Sequence, residues 1–183
     1  IGLEEELLTL PQTNRSRNLR NFKKIIQKGE VLNKAKKNDP DSVLQTIDEF
    51  GWNGNLMINI GDVKGKFLDD AVLDQFHKEK QATLAVELGT FLGYGTVRVA
   101  RLLPAHAKLI TVDPNPVSHA VSTALINFAG LQDKVEIFYG FSHELLARLA
   151  KNDQKIDFLF LDHLKDLYLS DFKFAERLNL MNA

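Results

Sequence analysis

Three acids and one lysine stand where apolar runs end, and chemistry is expected there. Glu87 sits inside the run Thr83, Leu84, Ala85, Val86 and Leu88, which stops at a cluster of three glycines, Gly89, Gly93 and Gly95. Asp113 closes the run Leu109, Ile110 and Val112; Asp162 closes IDFLFLD and is followed three residues later by Lys165. After the glycines, Val97, Ala100 and Leu103 recur at helical spacing, so the stretch predicts a buried strand, a tight turn and a helix, the first half of a βαβ unit. Ligands of open α/β sheets bind beyond the carboxyl ends of the strands, and all three acids are expected on that rim. Glycine lets backbone come close to a bound molecule because it carries no Cβ.

The glycine spacing narrows the ligand. A dinucleotide turn reads G-x-G-x-x-G, but counting from Gly89 the second glycine falls on Phe91, and counting from Gly93 the third falls on Arg98. What stands here is E-x-G-x-x-x-G, which resembles the first motif of methyltransferases that use S-adenosylmethionine (AdoMet). That resemblance implies an acid near the methionyl end and a turn with no phosphate to grip; a generic tight turn or a nucleotide site is the alternative. Asp113, 26 residues beyond Glu87, suits two ribose hydroxyls, since a carboxylate accepts both hydrogen bonds; the bland reading is a helix cap before Pro114. Asp162 can hold Mg²⁺, a hard cation that prefers oxygen, with Lys165 as a base facing the same cavity. The plain alternative is a capping Asp162 and a solvated Lys165.

The elements that must position these residues read as alternating helices and strands. DPDSVLQTIDEFG (Asp39 to Gly51) predicts a helix capped by Asp39, with Pro40 in its first turn, one face of Val43, Leu44, Ile47 and Phe50, and a left-handed stop at Gly51. A second helix, Lys64 to Lys78, is expected to pack Phe67, Leu68, Ala71, Val72 and Phe76. These two helices precede the first strand and are expected to cover the cofactor end of the sheet. Beyond the first βα unit come the strand ending on Asp113, a helix over 116–129, the strand KVEIFYG, a helix capped by Ser142, the buried strand ending on Asp162, and a last helix, Ser170 to Leu180. The fold class is α/β, a parallel doubly wound Rossmann-like sheet of about four strands with N-terminal helices.

Composition sets the bounds. A chain of 183 residues, 44% hydrophobic with net charge −1, is one ordinary domain, and its neutral balance gives no reason to expect nucleic acid. There is no cysteine, which fits a reducing compartment, the cytoplasm, and excludes thiolate chemistry. No apolar run approaches the roughly 18 residues needed to span a bilayer. The chain starts at Ile1 rather than Met, so a lost signal or membrane anchor stays open. Residues 1–38 read as a basic extension: nine of its Lys and Arg residues fall between Arg15 and Lys37, against one acid, Glu30. They form either a patch for an anionic surface or a solvated helix face. Residues 39–183 form the domain proper.

The segments INIGDVKG (Ile58 to Gly65), VELGTFLGYGTVRVARLL (Val86 to Leu103), LITVDPNP (Leu109 to Pro116), NFAGLQDKV (Asn127 to Val135) and FLDHLKDLYL (Phe160 to Leu169) resemble, in order, the catechol O-methyltransferase family, its transmembrane O-methyltransferase branch included. The resemblance implies methyl transfer from AdoMet to the hydroxyl of a small catechol-like acceptor with Mg²⁺ assistance. It places Glu87, Gly89, Ile60 and Gly95 at the methionyl group, Asp113 at the ribose, and Ser142 in the adenine region. Phe91 and His143 are expected cofactor contacts, Asp162 meets metal and cofactor, and Lys165 is the base. Family positions differ here: Leu56 and Leu164 replace tryptophans that wall the substrate and adenine, Phe91 replaces Tyr, Asp113 replaces Glu, and His143 replaces Gln. The family continues into a fifth strand with an Asp-Asn pair that completes the metal site, whereas this chain stops at Ala183. The expectation is therefore a domain lacking its C-terminal strands, with Asp162 its sole metal ligand and little methylation of its own; the alternative is an inactive AdoMet-binding or interaction protein.

Overall fold

The computed structural model describes residues 30–54, 59–78 and 81–182. Most of the basic extension, and Leu56, lie outside the described residues. A short helix α1 (Glu30–Lys34) leads to α2 (Pro40–Trp52), where Asp39 Oδ1 accepts from the Ser42 amide at 3.1 Å, the expected cap. The stop is not at Gly51. Asn53 donates its amide and its side-chain nitrogen to the Glu49 carbonyl (3.1 and 2.8 Å), so the helix runs on to Trp52 and the left-handed residue is Gly54, φ 85°. Helix α3 (Gly61–Lys78) begins three residues earlier than the periodicity suggests and buries Gly65, Leu68, Val72 and Phe76. Phe67 is 74% exposed and Ala71 is exposed, contrary to expectation: the buried stripe is narrow, and both residues lie about one helical step off it.

The strands are β1 (Leu84–Leu88), β2 (Lys108–Asp113), β3 (Val135–Tyr139) and β4 (Phe158–Leu161), all parallel in the order β3-β2-β1-β4. The chain winds from β1 outward to β3 and then crosses back to the far side of β1, so the direction reverses beside β1. Successive β1 residues alternate between two cores. Ala85 packs with α2, α3, α4 (Tyr94–Ala100) and α5 (Pro116–Phe128), through residues such as Ile47, Val72, Val97 and Val121. Leu84, Val86 and Leu88 pack with α6 (Ser142–Lys151) and the residues around α7 (Tyr168–Arg177), through Leu145, Leu149, Ala175 and Leu180. Both faces of β1 are thus covered, which explains its unbroken burial.

Strand β4 departs from the buried strand expected. All four residues are half-buried, because β4 pairs with β1 alone along its length. Beside its start the chain's own tail returns: the Ile156 amide donates to the Leu180 carbonyl (2.7 Å), and the Asn182 amide donates to the Ile156 carbonyl (3.0 Å). Helix α4 is shorter than predicted, since Leu102 and Leu103 close in tighter bonds to Val99 and Ala100, three residues back. Helix α7 starts at Tyr168 after a 3₁₀ turn (Lys165–Leu167) and ends at Arg177, with Asn179 left-handed at φ 51°. Among the described residues no helix is long and apolar enough to cross a membrane.

Candidate active site

Glu87 is the most buried charged residue among the described ones, 1% exposed on β1. Register puts it opposite Thr111 on β2, whose Oγ1 donates to Glu87 Oε2 at 2.7 Å, and Thr96 of α4 donates to the same oxygen at 2.5 Å. The other oxygen lies against Gly95, where a Cβ would stand 2.6 Å from Oε1. Burial drives the Glu87 carboxyl up to about 8, the two hydroxyls pull it back in part, and the charges of Asp162 and Asp113 add to the rise. Neither threonine stands out in the sequence; their only signal is a hydroxyl inside each apolar stretch flanking the acid.

The glycine turn between β1 and α4 is held from β2. The amides of Gly89 and Thr90 both donate to the Val112 carbonyl at 3.0 Å, and Asp113 Oδ2 accepts from the Phe91 amide at 2.9 Å. Phe91 has φ 45°, a left-handed conformation costly for a side chain bearing a ring, and the Asp113 bond fixes it there. Asp113 Oδ1 takes the Asn115 amide at 2.8 Å, while Asn115 itself caps α5. Burial raises the Asp113 carboxyl above the usual range, and its backbone bonds to Asn115 and Phe91 oppose the rise.

Asp162 follows β4 and its amide donates to the Leu88 carbonyl, which sets it beside Gly89. Its carboxyl is raised by partial burial, with Lys64 and His163 opposing, and it makes no hydrogen bond to another side chain among the described residues. A cavity of about 710 Å³ opens here. Ile60, Gly89, Phe91, Asp113, Ser142, Asp162 and Lys165 all line it, so seven of the sequence-derived positions share one space. A smaller pocket of about 30 Å³ lies deeper, walled by Glu87, Gly89, Phe91, Gly95, Tyr94 and Asp162 among others. His143 lines neither cavity; its ring stacks on Phe141, which does. A further hollow of about 480 Å³ at the opposite ends of the strands, lined by Lys108, Lys134 and Lys155, is remote from these acids.

Ser142 does not cap α6 as expected. Phe141 holds that position, its amide bonded to Glu144 Oε2 at 2.8 Å, and the Ser142 hydroxyl donates instead to Asp171. Sequence reasoning also missed a buried ion cluster between the helices. Asp69 of α3 receives two bonds each from Arg98 of α4 and from Arg101 just beyond it, and Arg98 also reaches the Tyr94 hydroxyl, which donates to Asp48 of α2. Burial, and then Asp48, push the Tyr94 phenol up, so it stays a donor. Helices α2 and α3 are thereby tied to α4, and Asn59 and Ile60, just before α3, line the cavity.

The O-methyltransferase family model matches residues 34–182. The chain belongs to the O-methyltransferase family. It is 40% identical over 153 residues to catechol O-methyltransferase of Mus musculus, a match covering 82% of this chain and 56% of the relative. With the transmembrane O-methyltransferase of Homo sapiens it shares 33% over 156 residues, 84% of this chain and 52% of that one. The chain therefore spans about half the length of these curated relatives. A solved O-methyltransferase from Bacillus cereus, in complex with SAH, superposes with a TM-score of 0.61 at 23% identity, covering 87% of this chain and 70% of that one, and shares its Rossmann-like fold.

In this family member the turn leaves no room for a side chain at Gly89. Its φ is 109°, and a Cβ would stand 2.6 Å from the Asp162 carbonyl oxygen, which is backbone and cannot swing aside. Gly89→Ala is expected to cost at least the roughly 1–3 kcal/mol of such backbone strain, read as a lowered urea midpoint. A midpoint equal to the unchanged chain's would refute the close approach of β1 and β4 at this turn.

Proposed function

We propose that this chain is the AdoMet-binding part of an O-methyltransferase acting on a hydroxyl of a catechol-like small molecule. The observation that carries the reading is the wall of the deeper pocket: Glu87 and Asp162 stand there with no Lys or Arg among the lining residues. Both carboxyls are raised, and a sulfonium or ammonium beside them favours their ionised forms whereas a pyrophosphate opposes them, so the pocket suits a cationic ligand. The larger cavity has the size of a small-molecule site, with Phe91, Pro114 and Phe141 offering apolar surface to an adenine. Bound AdoMet supplies a methyl group made electrophilic by its positive sulfur.

The chain's own residues have distinct tasks in this reading. The two Asp113 oxygens take the Phe91 and Asn115 amides and a bond from the Ser118 hydroxyl, and the acceptor capacity left over is offered to the ribose hydroxyls. Glu87, behind Gly95, faces the methionyl end. Lys165, exposed at the cavity rim, takes the acceptor's hydroxyl proton at Nζ. A Mg²⁺ ion is another matter. Among the described residues no three or more His, Cys, Asp or Glu side chains gather, and a lone Asp162 is a weak anchor for a cation that dehydrates reluctantly. The described residues do not fit a Mg²⁺ site, and no step is assigned to the ion.

Calorimetric titration with AdoMet tests the reading. Asp113→Ala should weaken binding by about 1–3 kcal/mol, the worth of hydrogen bonds to a charged group. Asp74→Ala, exposed on α3 and paired with Lys78, should leave it unchanged. Equal affinities for Asp113→Ala and the unchanged chain would remove the ribose assignment. Transfer of a labelled methyl from AdoMet to catechol tests the acceptor class.

A further inference from the structure

One carboxylate outside the cavity holds two of its wall residues. Asp171, on α7, is 8% exposed and lines neither cavity described above. Its Oδ2 accepts from Ser142 Oγ at 2.5 Å and bonds His163 Nε2 at 2.8 Å. Ser142 opens α6, His163 follows Asp162 at the end of β4, and both line the 710 Å³ cavity. Tyr168, one turn before Asp171 on α7, stacks on the His163 ring at 5.1 Å. The start of α6, the end of β4 and helix α7 therefore meet on one oxygen.

The donor rules constrain what this arrangement does. An ionised carboxylate only accepts, so the Ser142 hydroxyl hydrogen and a hydrogen on His163 Nε2 both point to Asp171. Serine and histidine do not bond each other. The trio lacks the order of a nucleophile, its base and an orienting acid, and Ser142 is not an activated nucleophile. Nδ1 of His163 is buried without a partner among the described residues, so the ring has one nitrogen left for another group. Phe141, beside Ser142, and Leu164, beside His163, continue the same cavity wall.

We propose that Asp171 is a positioning residue of the cofactor site, locking Ser142 and His163 into the wall that receives the adenosyl end of the ligand. This rests on the AdoMet reading above. The bonded pair fixes the start of α6 against the turn carrying Asp162 and Lys165, so losing Asp171 frees two wall residues at once. The consequence belongs to ligand affinity as well as to stability, although Asp171 touches no ligand.

The test is calorimetric titration with SAH at a temperature where every variant is folded. The unchanged chain should bind. Asp171→Ala should bind about tenfold more weakly, the equivalent of one well-placed hydrogen bond. Asp171→Asn keeps an acceptor oxygen at the same place and should recover affinity to within about threefold of the unchanged chain. Ser142→Ala combined with Asp171→Ala should bind no more weakly than Asp171→Ala alone, because the Ser142 hydroxyl acts through its bond to Asp171, which is already lost. Unchanged affinity in Asp171→Ala overturns the inference while the AdoMet reading stands. So does a loss that asparagine fails to rescue and that adds fully to Ser142→Ala, which marks a general loosening of α7. An unchanged chain that fails to bind SAH removes the AdoMet reading and the inference with it.

Discussion

Asp69→Ala is expected to destabilise the chain by about 3–5 kcal/mol, the cost of stranding buried charges. The carboxylate takes Arg98 through Nε and Nη2 (3.0 and 2.8 Å) and Arg101 through Nη1 and Nη2 (3.1 and 2.7 Å). The side chains of Arg98, Arg101 and Asp69 are only 7%, 12% and 15% exposed, so water cannot replace what is lost. Gly65 makes the cluster possible: a Cβ there would lie 2.3 Å from Arg98 Nε, and its absence lets α3 close over the guanidinium. Urea unfolding followed by circular dichroism measures the loss. Asp41→Ala provides the comparison, since Asp41 also binds Arg101 but is 80% exposed; its removal should cost no more than about 1 kcal/mol. Equal costs at Asp69 and Asp41 would show that burial does not set the strength of the cluster. The loss should also reach the cavity, because α3 carries Lys64 to its edge.

The second large effect is a dependence of stability on pH centred on Glu87. Its carboxyl rises from 4.5 in the unfolded chain to about 8 when folded, chiefly through burial. Between those values the folded chain holds a proton that the unfolded chain has released, so stability falls as pH rises. The contribution is fully present below pH 4.5 and is lost by about pH 8, a span worth about 3–5 kcal/mol at 1.36 kcal/mol per unit. The groups facing Glu87 are Thr96 of α4, Thr111 of β2, and the carboxylates Asp113 and Asp162 at the ends of β2 and β4. Asp48, Asp113 and Asp162 are raised too and act in the same direction from the acidic end. Glu87→Gln separates them: it keeps an oxygen for the two hydroxyls and cannot titrate. The difference in unfolding free energy between the two proteins should shrink from pH 8 toward zero or reverse at pH 5. A glutamine variant with the same slope as the unchanged chain would mean that Glu87 is ionised throughout.

The sequence by itself determined the alternation of strands and helices, the parallel class, and the rim on which the acids gather. Period-two and period-3.6 patterns are local, and so are the caps at Asp39 and the ends of apolar runs at Asp113 and Asp162. The failed glycine frames likewise argued against a dinucleotide turn with no structure in hand. Only the tertiary structure decided who satisfies those acids. Glu87 is held by Thr111, 24 residues away, because parallel register places the two opposite each other, and register belongs to a pair of strands rather than to either one. Ser142 looked like a cap, yet a buried acceptor 29 residues further on claims its hydroxyl, and Glu144 serves the helix start. Phe67 looked like core, but α3 turns a glycine toward α4 to admit Arg98, which rotates the phenylalanine into solvent. In each case the local pattern specifies an element and its polarity. The partner of a buried polar group is set by which elements pack together, because an unpaired buried group costs more than a local preference can offset.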